Sequence, residues 1–213
     1  MTETLTLDEA ADLIRDAYAD ALGDRVDTSI DIRGVQAHYL KDGTLIIPGT
    51  NEFSDWFDFN LQFGAESPET HGFEVMPGDS GSLYHGGFLE HAQVVYTFAK
   101  GLRPKFVVGH SLGAASAQIV GASLGTPTVA FASPRTTKTA TRLRGEGWVV
   151  NVNRTDDTVA HVPPPFLGFR HMGSLYWMSP EEPNVGEDHR IDNYKDLLKL
   201  KRHRERIPQA WPA

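Results

Sequence analysis

The feature that most limits what this chain can fold into is a serine fenced by glycines, Gly109-His-Ser-Leu-Gly113. The apolar stretch Phe106-Val-Val108 runs before it, and an Ala-rich stretch over residues 114–124 follows. The first reads as a buried strand and the second as a helix. A strand that passes into a helix over so few residues needs a sharp turn, and the two glycines remove side chains that would collide where strand and helix approach. Ser111 is then held out at the C-terminal edge of a sheet. The backbone N–H of Leu112 lies in the first turn of the helix, aimed at negative charge developing beside the serine.

A lone hydroxyl is a weak nucleophile and needs an imidazole as general base, with a carboxylate to orient it. The strand-turn-helix around a Gly-x-Ser-x-Gly resembles that of α/β hydrolases, in which the chain order is serine, then acid, then histidine. The run Trp148-Val-Val-Asn-Val-Asn-Arg-Thr-Asp-Asp157 puts two aspartates just past a strand-like segment. Neighbouring side chains on an extended strand point to opposite faces, so only one of Asp156 and Asp157 can reach the base. Of the later histidines, His189 is favoured by order and by its neighbour Tyr194, with His161 and His171 read as structural or rim residues. No set of His, Asp and Glu has metal-ligand spacing. With no cysteine in the chain, thiolate metal sites, disulfides and a cysteine nucleophile are excluded. The expectation is chemistry without a metal or a cofactor.

The rest of the chain supplies a setting for that turn. Strand-like runs at residues 35–40, 44–47, 105–108, 128–132, 148–153 and 175–178 alternate with helical or irregular stretches, which predicts an α/β fold, a mostly parallel central sheet with helices on both faces. Asp42-Gly43 marks a hairpin between the first two strands. Apolar residues from Leu7 to Leu22 recur at helical spacing, with Thr6 and Glu9 as a capping box and Gly23 as a stop. A second helix is expected from Phe88 to Lys100. A third is expected over 195–206, with Leu197, Leu198 and Leu200 facing inward. Residues 63–84 are polar and lack a period, and read as a surface excursion. At 213 residues, 40% of them apolar, residues 1–213 suit a single compact domain. A formal charge of −8 opposes nucleic-acid binding. The N-terminus has no basic-then-apolar leader, and no long apolar run occurs, so a cytoplasmic chain without stable membrane insertion is expected.

Several ordered blocks together resemble the class 3, fungal-type lipases of the α/β-hydrolase superfamily. Gly109-His-Ser-Leu-Gly-Ala114 is similar to that family's nucleophile motif and Asp157-Thr-Val-Ala-His-Val-Pro-Pro164 to its acid motif. His85-Gly-Gly-Phe88, Phe169-Arg-His-Met-Gly173 with Trp177, and His189-Arg-Ile-Asp-Asn-Tyr194 resemble three more blocks, so that the likeness spans residues 35–198. The resemblance implies an α/β-hydrolase fold and a Ser111, Asp157, His189 triad, and so selects Asp157 over Asp156. Pro48-Gly-Thr50 resembles the second oxyanion element, which assigns Thr50 that role beside Leu112. The implied activity is hydrolysis of a small-molecule or lipid carboxylic ester through an acyl-enzyme, with transient lipid-surface contact. Phospholipid, thioester and amide hydrolysis, acyl transfer, and a non-catalytic binding domain on the same scaffold are the alternatives. Two departures stand out: Pro48 occupies a position where the family usually has Arg, and the 63–84 excursion lacks the apolar face of a lid. Strong interfacial activation is therefore not expected from that segment.

Overall fold

The computed structural model describes residues 3–49, 73–183 and 188–212. After a two-residue strand β1 (Leu5–Thr6), helix α1 (Leu7–Tyr18) opens on the expected capping box: Glu9 N–H donates to Thr6 Oγ1 at 3.1 Å and Thr6 N–H to Glu9 Oε2 at 3.0 Å. It stops at Tyr18, a turn earlier than the apolar spacing suggests. Asp20 adopts a left-handed backbone (φ 51°), and Arg25 closes the following turn by donating to Asp16 and to the Ala21 carbonyl. Leu22 is buried all the same, from outside the helix.

Three strands follow, β2 (Val26–Ile32), β3 (Val35–Leu40) and β4 (Thr44–Ile47), then a short hairpin, β5 (Val75–Pro77) and β6 (Leu83–His85), that starts in the 63–84 excursion and ends one residue beyond it. Next come α2 (Gly86–Ala99), β7 (Phe106–His110), α3 (Leu112–Leu124), β8 (Thr128–Phe131), β9 (Val149–Arg154) and β10 (Ser174–Met178). The chain closes with α4 (Ile191–Lys199), α5 (Lys201–Arg204) and β11 (Ala210–Trp211), which pairs with β1 and joins the two ends. Several elements were not among those expected, the short strands β1, β5, β6 and β11 among them. Another is β2, whose alternating polar and apolar residues lie on a solvated edge. At Leu200 an extended backbone (ψ 129°) splits the helix expected over 195–206.

The main sheet runs β10-β9-β8-β7-β4-β3-β2. From β10 through β4 every pairing is parallel, and β3 and β2 add antiparallel. The mostly parallel sheet is as expected. Its central strands β4, β8 and β9 are buried along their whole length because helices cover both faces. The pleat decides which side chain serves which face. Leu45, Ile47 and Val107 pack with α2 and α3, whereas Ile46, Val108, Val129 and Val152 pack with α1 and α4. Helix α3 has ten consecutive buried residues, Gly113 through Ala122, so the element following the serine is locked in the centre of the molecule.

Candidate active site

The turn at Ser111 is built by what its glycines omit. A Cβ on Gly113 would lie 2.0 Å from the carbonyl oxygen of Ile47, and one on Gly109 would lie 2.5 Å from that of Gly113. Strand β7 and helix α3 therefore meet at a distance that only glycine permits. Ser111 takes φ 60° and ψ −127°, a strained conformation for a residue with a side chain, and is held there by its N–H to the Phe131 carbonyl at 3.1 Å. Its own carbonyl receives the N–H groups of Ala114 and Ala115. The side chain stands at the C-terminal edge of the sheet, at the head of α3.

Three side chains converge there. Ser111 Oγ lies 2.8 Å from His189 Nε2, and His189 Nδ1 lies 2.9 Å from Asp157 Oδ2 and 3.2 Å from Oδ1. A carboxylate only accepts, so Nδ1 carries the proton and Nε2 is left bare to accept from the serine hydroxyl. Asp157 is fully buried and fully used. Tyr194 donates to its Oδ2 at 2.6 Å, and Val159 N–H donates to its Oδ1 at 2.9 Å. Burial pushes the carboxyl pKa up, but the positive charge available on His189 and the hydrogen bonds from His189 and Tyr194 outweigh it, holding Asp157 below the usual range. Burial, and then the Asp157 charge, push the Tyr194 phenol well above its ordinary value, so it stays a donor. Its oxygen in turn accepts the N–H of Arg154 at 3.2 Å.

Compared by sequence, the chain matches no family model and no curated protein. Compared by structure, it is similar to lipase II from Rhizopus niveus, with a TM-score of 0.61 and 19% identity over 83% of this chain and 79% of that one. The triacylglyceride lipase of Rhizomucor miehei aligns with a TM-score of 0.57 and 19% identity, covering 83% and 82% of the two chains. A lipase from Rhizopus microsporus var. chinensis aligns at 0.55 and 18%, covering 87% and 79%. The chain has the α/β-hydrolase fold of these fungal lipases. In that fold β7, Ser111 and α3 form a sharp strand-turn-helix, and Asp157 follows the strand two places along the sheet.

The competing sequence candidates are placed elsewhere. Both aspartates lie beyond the end of β9, and they part company there. Asp156 is clamped by Arg154, with Nε at 3.1 Å and Nη2 at 2.8 Å from its two oxygens, whereas Asp157 turns under His189 and caps the 3-10 turn Thr158–His161. His161 stacks on Trp177 at 4.9 Å and contacts the Thr155 carbonyl. His171 is buried against the Ser133 carbonyl at 2.8 Å, and burial pushes its pKa down to about 4. Leu112 opens α3, where the first amides have no acceptor within the helix. Thr50 lies outside the described residues, as do Phe53, Trp56, Phe57 and Phe59. Among the described residues no group of three His, Asp or Glu side chains is arranged to hold a metal ion. Sequence reading passed over His110 and Tyr18, which surround Ser111 and His189. His110 had a signal in its place immediately before the serine, and Tyr18, on a distant helix, had none.

Proposed function

We propose that this chain is a serine hydrolase that cleaves carboxylic esters through an acyl-enzyme. The observation that carries the reading is the unbroken hydrogen-bond path from Ser111 Oγ through His189 to Asp157, all three links within 3.2 Å. In this reading His189 Nε2 takes the hydroxyl proton as Ser111 Oγ forms a bond to the ester carbonyl carbon. Asp157, with its proton kept off by Tyr194 and Val159, balances the imidazolium that results. The N–H groups of Leu112 and Thr50 are the proposed donors to the oxyanion. His189 returns the proton to the departing alcohol. Water then enters, gives a proton to His189, and releases the acid by the same steps in reverse. The names of the three similar structures described above, each a lipase, favour a lipid or small apolar ester as substrate.

A fluorophosphonate phosphonylates a serine activated in this way and ignores ordinary serines. The expected result is stoichiometric labelling of the wild type and none of Ser111→Ala. Turnover of p-nitrophenyl esters should fall in the same variant by ~10⁴-fold or more, toward the background left by binding alone. Comparison of a chain-length series of esters with phospholipids, thioesters and amides then ranks the substrate classes. A folded wild-type protein that neither labels nor hydrolyses any of them is a binding domain on a hydrolase scaffold.

A further inference from the structure

We infer that Tyr18 and His110 are positioning residues, a two-side-chain link that holds the backbone of His189 and the end of strand β4 in register with Ser111. The inference rests on the hydrolase reading above and names residues that it does not require. Gly49 N–H donates to Tyr18 Oη at 2.8 Å, Tyr18 Oη lies 2.8 Å from His110 Nδ1, and His110 Nε2 lies 2.9 Å from the carbonyl oxygen of His189. Only one arrangement of protons satisfies all three contacts. A carbonyl can only accept, so Nε2 of His110 carries hydrogen. Nδ1 of the neutral ring is then an acceptor, the tyrosine hydroxyl points its hydrogen there, and the hydroxyl oxygen is left to accept from Gly49. Donation runs one way, from Gly49 to the base-bearing loop.

The link joins three segments that are remote in the chain and that the chemistry needs at fixed separation. His110 precedes the nucleophile, His189 is the base, and Gly49 precedes Thr50. The fit at Gly49 is close. A Cβ there would lie 2.7 Å from Ser111 Cβ and 2.8 Å from Tyr18 Oη, so the strand end is pressed between the serine and the tyrosine. The phenol ring stays partly exposed while its hydroxyl turns inward. Against the His110 ring it stands edge-on, at 5.5 Å. A backbone carbonyl tied down two bonds from the Cα of His189 limits how far its imidazole can swing from Ser111. Without this tie the base is held mainly through its own side chain, by Asp157.

The electrostatics suit the same role. His110 and His189 have ring centres only 4.9 Å apart, and burial followed by the neighbouring His189 charge push the His110 pKa down to about 3. His110 therefore stays neutral near pH 7, with its proton directed at a carbonyl, and places no second cation beside the imidazolium that forms on His189. Burial likewise pushes the Tyr18 phenol above its usual value, keeping it a donor to His110.

The test compares Tyr18→Phe, His110→Leu, His110→Gln and the double variant Tyr18→Phe/His110→Leu with the wild type. Turnover of a soluble short-chain ester is measured well below each Tm, and kcat is expressed per serine titrated with fluorophosphonate, so that misfolded protein is not counted. Tyr18→Phe should lower kcat about tenfold with KM within about twofold, as expected for loss of one buried hydrogen bond that matters in the transition state. His110→Leu should lower it further. His110→Gln, whose amide can still donate toward the His189 carbonyl, should regain part of the loss. Adding Tyr18→Phe to His110→Leu should cost little more, because the link is already cut. If both single variants keep wild-type kcat per titrated serine, whatever their Tm, the two residues are structural and the inference is overturned; independent, multiplicative effects overturn it too. A wild type that neither labels at Ser111 nor hydrolyses the ester fails the hydrolase reading itself, a result distinct from either.

Discussion

Asp157→Asn keeps the shape of the side chain but replaces one oxygen by an amide that donates, so His189 is pushed toward the tautomer with its proton on Nε2, where the bare nitrogen is needed. The expected loss in kcat is ~10⁴-fold with little change in fold. Asp156→Asn is expected to act the other way round. Asp156 and Arg154 are both about nineteen-twentieths buried, with side-chain exposures of 5% and 6%, and Arg154 also donates to the Asn193 carbonyl at the start of α4. Weakening that pair leaves a guanidinium poorly compensated in the interior, at a cost of about 3 kcal/mol, while turnover per titrated serine stays within a few-fold of wild type. Activity titration beside urea unfolding separates the two variants, and equal kcat losses would contradict the assignment. The sequence could place an acid at 156 or 157 but could not choose by alternation, since neither residue is on the strand. What separates them is Arg154, two positions back, which reaches one aspartate and not the other. Only the family motif carried that choice without coordinates.

Strand β7, the Ser111 turn and α3 were legible because their determinants are local: a β-branched run, two glycines at fixed offsets, and an Ala-rich segment. The end of α1, the break at Leu200 and the edge strand β2 were less legible: α1 is ended by the left-handed Asp20 and the Arg25 contacts just beyond it, and β2 is an exposed edge paired only with its hairpin neighbour β3. The Tyr18 hydroxyl meets Gly49, two residues past β4, and His110 of β7, and Tyr194 of α4 reaches under Asp157. Close approach of elements is also testable by substitution. In Gly113→Ala the new methyl would lie 2.0 Å and 2.6 Å from the carbonyl oxygens of Ile47 and Pro48, backbone atoms of a central strand that cannot yield without moving the sheet. Gly101, past the end of α2, has nothing within 4 Å of the same position. Gly113→Ala should cost about 3 kcal/mol or more, or prevent folding outright, and Gly101→Ala should stay within about 0.5 kcal/mol. For a chain of this length that is a Tm difference of roughly 6–12 °C. Differential scanning calorimetry reads it, and similar Tm values would mean that β4 and α3 are less tightly apposed than the turn requires.

The molecule as a whole buries more histidine than its composition reveals. Nine histidines in a sequence carry no mark of which will be enclosed, because a neutral imidazole suits a core and a charged one suits a surface. Three of them lie deep in different parts of the fold: His91 of α2 against Ser116 of α3 at 2.6 Å, His110 beside Ser111, and His171 just past the end of β8. Burial pushes their pKa values down to about 4, about 3 and about 4. In the unfolded chain each returns to about 6.5. Between pH 6.5 and 4 these three imidazoles alone bind up to three more protons in the unfolded state than in the native one, and stability must fall as pH falls through that window. The slope is about 1.4 kcal/mol per pH unit for each histidine once its unfolded form is protonated. Asp157 adds in the same direction at lower pH. Its folded pKa is depressed, so its contribution is present above the unfolded value and is lost as pH drops through the folded one. Urea unfolding followed from pH 7.5 to 4.5 should show a midpoint nearly constant above pH 7 and falling steeply below 6. In His91→Gln, which removes one buried imidazole that makes no hydrogen bond to Ser111, His189 or Asp157, the slope should lessen by about one proton while the pH dependence of ester turnover keeps its wild-type shape. A midpoint that is flat from pH 7 to 5 would mean that these imidazoles already carry their protons inside the folded protein.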